Sequence, residues 1–344
     1  LSLDRRRFLQ GLCATPLAAS LWPLAAGAQA LSVDALPTLS GRLTLYLGRG
    51  EGGLYEDVLE AIRKRNPDLE LAVRRGPSVA LANTLVAEAR AGGPRADLFW
   101  SIDASSLGLA TDAVQPGPVD DGLRESLLPD FRYRNWVPVS GRLRALAYNP
   151  DRVDPVSLPE RVAALAHEES TLRIGWAPAY AAFQSFVTAM RLLEGDAATR
   201  RWLQALKPRA TTYAGEFGVA MAVERGEVDL GFVNHYYVLR LLQGKPGARV
   251  ALAFTRDDAG CLLNASGAAI LKPSTLATDF VRYLLTREVQ SYLAREAYEV
   301  PLVAGVEPPA GIPPLTELSP PDIDLERLAD LRPTLDLLRQ TRVL

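Results

Sequence analysis

Leu43, Leu45 and Leu47 recur at every second position with Thr44 and Tyr46 between them, and this alternation predicts a strand running into the loop Gly48-Arg49-Gly50-Glu51-Gly52-Gly53. The spacing then predicts a helix over 54–66, ended by Pro67, because proline lacks the N–H that a continuing helix needs. A strand over 69–73, a helix over 79–90 and a strand over 96–101, after Gly92-Gly93-Pro94, complete a strand-helix-strand-helix-strand series. Such alternation implies a mostly parallel sheet covered by helices.

Residues 112–140 are rich in turn formers and lead to a strand over 143–148, which the pattern assigns to the crossing into a second lobe. The alternation resumes there, with strands expected over 172–175, 211–213 and 228–233. Helices are expected over 158–166, 181–193, 197–206, 218–225 and 236–243. A strand over 267–271 returns to the first lobe, and helical spacing follows over 276–285 and 288–297. A proline-rich passage then precedes helices near 324–331 and 334–340. The expected class is α/β with two lobes, each a mostly parallel sheet flanked by helices, and a ligand cleft between them. The expected division is residues 31–141 with 265–305 in lobe 1, and 142–264 with 306–344 in lobe 2.

The join between the strand over 228–233 and its helix reads Asn234-His235-Tyr236-Tyr237. Adjacent side chains point to opposite faces of a strand and diverge around a helix, so neighbouring tyrosines converge only where the backbone turns. Helix N-termini at the carboxyl ends of strands favour anionic groups, phenolates included. Two readings stay open on this pattern alone: rings packed for their own sake, or rings that meet a ligand.

Composition narrows the classes. With 344 residues, 48% hydrophobic, the chain can bury two cores. Asp4-Arg5-Arg6-Arg7-Phe8-Leu9-Gln10, the apolar run over 11–24 and Ala28-Gln29-Ala30 form the pattern of a twin-arginine signal peptide over residues 1–30, so Tat export to the periplasm is expected. Pro16 and Pro23 break that run well short of the roughly 20 apolar residues a membrane span requires. Beyond residue 30 there remain 35 basic and 39 acidic side chains, a balance of -4 that gives no sign of a nucleic-acid partner. Cys261 is the one cysteine after that point, so no internal disulfide is expected there. With His167 and His235 as the histidines, a zinc or copper centre built from His and Cys is disfavoured.

Gly48, Gly50 and Gly53 match a G-x-G-x-x-G loop between a strand and a helix, the setting of a dinucleotide site. Arg74-Arg75 stand where such a site carries its ribose-binding acid, which leaves an exported NADP-dependent oxidoreductase as one reading. The other reading of the loop is a tight turn whose N–H groups form an anion nest beside Arg49.

The segments Leu45-Tyr46-Leu47-Gly48-Arg49-Gly50-Glu51, Ala96-Asp97-Leu98-Phe99-Trp100, Ser140-Gly141-Arg142 with Tyr148-Asn149-Pro150, Trp176-Ala177-Pro178, residues 226–237 and Asn264-Ala265-Ser266-Gly267 occur in this order. Together they resemble the periplasmic ferric-ion-binding proteins, the bacterial transferrins that serve as solute-binding components of iron ABC transporters. The resemblance implies a two-lobed periplasmic-binding-protein fold, type II-like, acting as a monomer with an inner-membrane permease and its ATPase, and no enzymatic activity. It implies Fe3+ as transported ligand, with carbonate or phosphate as a synergistic anion. Tyr236 and Tyr237 would be metal ligands, Asn234 and Arg49 would hold the anion, and His235 would be structural or would support the ligands from behind. Fe3+ is a hard ion that favours anionic oxygen, so the phenols must lose their protons to bind it.

Where some relatives supply a histidine and a glutamate from the first lobe, this chain carries Gly50 and Ile102, neither able to bind iron through a side chain. Glu216 stands where an asparagine commonly contacts the anion, either as a substitute metal ligand or as the mark of a changed ligand. Tyr180 lies in the loop from which other members draw a third tyrosine, so it is a further candidate metal ligand or a packed ring. A protein of the same fold binding another small solute without iron is the alternative reading.

Overall fold

The computed structural model describes residues 29–48, 54–167 and 170–344. The signal-peptide pattern up to residue 28 and the loop residues Arg49 to Gly53 lie outside the described residues.

The first lobe begins as its pattern predicts, with β1 (Gly41–Leu47), α1 (Leu54–Arg65), β2 (Leu69–Arg75), α2 (Ser78–Arg90) and β3 (Leu98–Ser101). There follow α3 (Ala104–Val114), in a stretch to which the pattern assigned nothing, and the short α4 (Asp121–Glu125). Asp103 starts α3 by accepting the Ser106 N–H at 2.7 Å, which satisfies one of the donors a helix N-terminus leaves open. The chain then crosses in β4 (Val137–Tyr148) to β5 (Ile174–Trp176), α5 (Ala181–Glu194), α6 (Asp196–Leu206), β6 (Ala210–Thr212), α7 (Glu216–Glu224), β7 (Leu230–Asn234), α8 (His235–Gly244) and β8 (Ala251–Ala253). It returns through β9 (Leu263–Ile270), α9 (Thr275–Leu284), α10 (Arg287–Glu296) and β10 (Val300–Pro301), and α11 (Arg332–Gln340) closes it. The helices expected over 158–166 and near 324–331 are instead 3-10 turns, Val162–Ala166 and Leu325–Ala329.

One sheet runs through both lobes in the order β2-β1-β3-β9-β4-β7-β5-β6, with β8 and β10 also paired to β4. It is parallel at its flanks, where helices carry the chain back between neighbours, as in β1 with β2 and β3, and in β5 with β6 and β7. Around the crossing strands the pairing is antiparallel, so each half is a mixed sheet rather than a mostly parallel one. β4 belongs to both halves: up to Leu143 it pairs with β9 and β10, and from Arg144 it pairs with β7 and β8.

Two large core clusters line the sheet, one confined to the first half and one that continues from Leu85, Phe99 and Leu107 across the crossing to Phe183 and Phe232. Leu45, Leu47, Val58, Leu59, Trp100 and Phe280 pack on one side of the crossing. On the other, Phe183, Phe186, Trp202 and Phe232 interlock, with Phe186 and Phe232 stacked at 5.2 Å. The C-terminal segment touches both sides: the Leu325–Ala329 turn lies on α3, with Trp136 donating to Glu326 at 2.7 Å, while α11 packs on α5 and α6. No helix among the described residues is long and apolar enough to cross a membrane.

Candidate functional site

β5 and β7 are parallel neighbours, with Ile174 beside Leu230 and Gly175 beside Gly231, so their carboxyl ends lie side by side. Each ends in a turn that starts a helix, and the two turns carry Tyr180 and Tyr236-Tyr237. The Tyr180 and Tyr237 hydroxyls are hydrogen bonded to each other, and their rings meet edge to face at 6.3 Å. The Tyr236 and Tyr237 rings are 4.5 Å apart, and the exposed Arg240 lies over the Tyr236 ring at 5.0 Å. Phe217 flanks Tyr237 at 6.4 Å. Three half-buried phenols thus gather at one end of the sheet, all from the second lobe.

Beneath them lies a buried polar layer. β4 sets Arg144 opposite Asn234 in the sheet register. Arg144 is 2% exposed and forms a salt bridge with Glu216, itself fully enclosed at the first turn of α7. The second Glu216 oxygen accepts the backbone N–H of Asn234 at 2.8 Å. The Asn234 side chain donates to the Tyr236 hydroxyl at 3.1 Å and accepts from Arg144 at 3.4 Å. The other face of Arg144 rests on the rings of Phe183 and Phe186, at 5.8 and 5.4 Å. Gly231 makes this layer possible, since a Cβ there would stand 2.4 Å from Val219 Cγ1 and hold α7 away from β7.

Two of the expected residues are already engaged with protein groups here. Glu216 is not a spare carboxylate facing the phenols: both its oxygens already accept hydrogen bonds, and recruiting it as a metal ligand would strand the buried Arg144 charge. Asn234, expected to contact an anion, is engaged with Tyr236 and Arg144 and orients the phenol. Arg49 lies outside the described residues. Sequence reasoning missed Arg142, two positions before Arg144 on the same face of β4. Its Nε is buried without a hydrogen-bond partner, and its charge reaches Tyr180. Two arginines spaced by two in a strand that is otherwise apolar or small were the signal.

Burial holds the Tyr180 and Tyr237 phenols in their protonated form in the absence of a cation. Burial, with the Tyr236 charge and the Tyr180 hydrogen bond, pushes the Tyr237 hydroxyl far above its ordinary range. Burial also raises Tyr180. His235, fully buried at the start of α8, donates from Nε2 to the Tyr298 carbonyl at 2.5 Å and accepts the Leu143 N–H at Nδ1, 3.1 Å away. Both ring nitrogens are spent on backbone, and burial lowers its pKa to about 4, so it stays neutral.

Among the described residues there is no group of three or more His, Cys, Asp or Glu side chains placed to hold a metal ion. In the first lobe, Ser78 knits the strand ends together, donating to the Gly48 carbonyl at 3.0 Å and accepting the Ile102 N–H at 3.1 Å. Arg75 is paired with Glu56 at 2.7 Å, and Arg74 donates to the Tyr46 hydroxyl at 3.2 Å. Both arginines of the dinucleotide reading therefore have protein partners.

Residues 43–299 match the family model described as bacterial extracellular solute-binding protein. The chain belongs to that family. Within it, the chain groups with the periplasmic ferric-ion-binding proteins. It is 29% identical over 321 residues to the Fe(3+)-binding periplasmic protein of Serratia marcescens, covering 91% of this chain and 92% of that one. It is 31% identical over 255 residues to the major ferric iron-binding protein of Neisseria meningitidis, covering 71% and 77%. The structure of iron-bound HitA from Pseudomonas aeruginosa superimposes with a TM-score of 0.75 at 28% identity, over 89% of this chain and 99% of that one. The fold of these solute-binding proteins accounts for the two halves joined by shared strands, and the phenol cluster sits where those halves meet, beside the crossing point of β4.

Proposed function

We propose that this protein is a periplasmic carrier that captures Fe3+ between its lobes and delivers it to an inner-membrane permease and its ATPase. The observation that carries the reading is the convergence of Tyr180, Tyr236 and Tyr237 from two adjacent strand ends. Loss of their protons turns three neutral phenols into three hard anionic oxygens, matching the charge of the ion. Because Tyr180 and Tyr237 hold their protons firmly, the metal drives their ionisation, and acid releases it. Arg142, with its unpartnered Nε, is the residue to hold an accompanying anion, and the resemblance implies Arg49 as a second anion-holding residue. Export as a Tat substrate fits a chain that needs no disulfide: among the described residues Cys261 is a buried free thiol.

An absorption spectrum tests the reading. Ferric loading at neutral pH is expected to give a visible tyrosinate-to-iron band, with iron retained through gel filtration and found by elemental analysis. Replacing Tyr236 and Tyr237 together by Phe is expected to abolish the band while leaving the circular dichroism of the metal-free protein unchanged. A colourless, iron-free native protein after loading sinks the proposal.

A further inference from the structure

Two overlapping triplets with small first and third residues end the leader pattern, Ala26-Gly27-Ala28 and Ala28-Gln29-Ala30, and either fits a signal-peptidase cut. They differ in what the fold does with them. Ala30 is 8% exposed and belongs to the first-half core with Leu36, Leu39 and Val303. Its N–H donates to the Ala304 carbonyl at 3.0 Å, and Gln29 forms a parallel bridge with Ala304. Past the bond that follows Ala30, the Leu31 carbonyl accepts the Arg287 N–H at 2.9 Å. Glu288 then accepts from the Ser32 hydroxyl at 2.9 Å and from the Val33 N–H at 2.8 Å. The bond from Ala30 to Leu31 is therefore tied into the fold on both sides. The Gln29 side chain is exposed, and Ala26-Gly27-Ala28 lies before the described residues.

We infer that the leader is removed after Ala28, so that the mature chain begins at Gln29 and keeps Gln29 and Ala30 as structural residues. The inference rests on the reading of the first residues as a twin-arginine leader. A Tat substrate crosses the membrane folded, so its fold is in place before the peptidase meets it. The peptidase takes the residues before its cut as an extended strand, with the small side chains of the last and third-last seated in its own pockets. Ala30 cannot fill such a pocket while its methyl is in the core and its N–H is on Ala304. Cutting there requires the segment from Gln29 to Val33 to peel from Ala304 and α10 first, and the population of that opened state limits the rate. A cut after Ala28 draws on Ala26 and Ala28 and leaves Ala30 in its core position.

The experiment expresses the full chain in an export-competent bacterial host and reads the terminus of the periplasmic protein by intact mass spectrometry. Mass is the readout because an N-terminal glutamine cyclises onto its own amide with loss of ammonia, which blocks chemical sequencing. The expected form begins at Gln29, and a form beginning at Leu31, or at any other residue, overturns the inference. Ala26→Leu closes the first triplet and leaves the second intact, so no Leu31 terminus is expected from it; cutting there at the native rate overturns the inference as well. A protein released from a fusion so as to begin at Leu31 is expected to melt at least about 2 °C below one beginning at Gln29, because it loses the Ala30 methyl from the core and the bond to Ala304. Equal melting points would show that the fold does not hold the segment, and the inference fails with its cause. Arg5→Lys with Arg6→Lys separates the two readings. Export and cutting unchanged by that replacement overturn the twin-arginine reading and this inference with it, whereas export lost in the variant, with a Leu31 start in the native protein, overturns this inference alone.

Discussion

His235 shows how one side chain ties the phenols to the rest of the molecule. It precedes Tyr236 and spends both nitrogens on backbone, one at the crossing residue Leu143 and one at Tyr298, so the first turn of α8 is held in register with both. Its neutrality has a consequence for acid stability. With a folded pKa of about 4 against an ordinary 6.5, the native state resists a proton that the unfolded chain accepts. The associated stability is complete above about pH 6.5 and is lost as pH falls through 4, a change of about 3 kcal/mol. Denaturant midpoints of the metal-free protein should fall between pH 7 and 4, and His235→Asn should flatten that dependence; equal slopes in the two proteins would rule it out. At this scale the sequence showed Tyr236 and Tyr237, because two neighbouring rings at a strand-to-helix join are visible in a pattern. It did not show which arginine stays open, since that depends on Glu216, 72 positions from Arg144, reaching back to close one of them.

Among the elements, α7 is the one whose placement decides the site, because its first residue is Glu216. It lies close over β7 only because Gly231 has no side chain, and a Cβ there would meet Val219 at 2.4 Å and Val223 at 3.0 Å. Gly231→Ala should therefore cost about 1–3 kcal/mol through overpacking. It should also shift the iron band, because Glu216 moves with its helix. A thermal melt and a spectrum check both effects, and an unshifted band would show that α7 does not set the site. Most strand-helix alternation was legible from spacing, since β1 to β3 and α5 to α8 lie within a few residues of their predicted bounds. The failures have local causes. Over 158–166 the pattern favoured a helix, but the Val162 N–H goes to Asp258 at 2.5 Å and its carbonyl to Trp202 at 2.7 Å, so tertiary partners took the groups a helix would pair. α3 was missed because Ser105, Ser106 and Gly108 are poor helix formers, although Asp103 offered a cap. β4 starts before its predicted position because Pro138 weakens the pattern, and the strand absorbs it with an irregularity between Pro138 and Ser140.

The whole molecule is two halves of one sheet, and the expectation of two lobes followed from reading a crossing strand near Leu143. That strand is shared rather than handed over, with β9 and β10 on one half and β7 and β8 on the other. The proposed capture between lobes would then take the form of a bend where the partners of β4 change, close to the contact of His235 with Leu143. Small-angle scattering should record a smaller radius of gyration for iron-loaded protein than for metal-free protein, and identical profiles would argue for a rigid carrier. The three phenols add a statement about time. All of them belong to one half, so under the proposed ferric function an ion is expected to be captured by an open protein before the facing half arrives. The proposed function thus predicts loading and closing as successive events: colour is expected to develop first, at a rate set by metal concentration, and compaction to follow at a rate that concentration does not change.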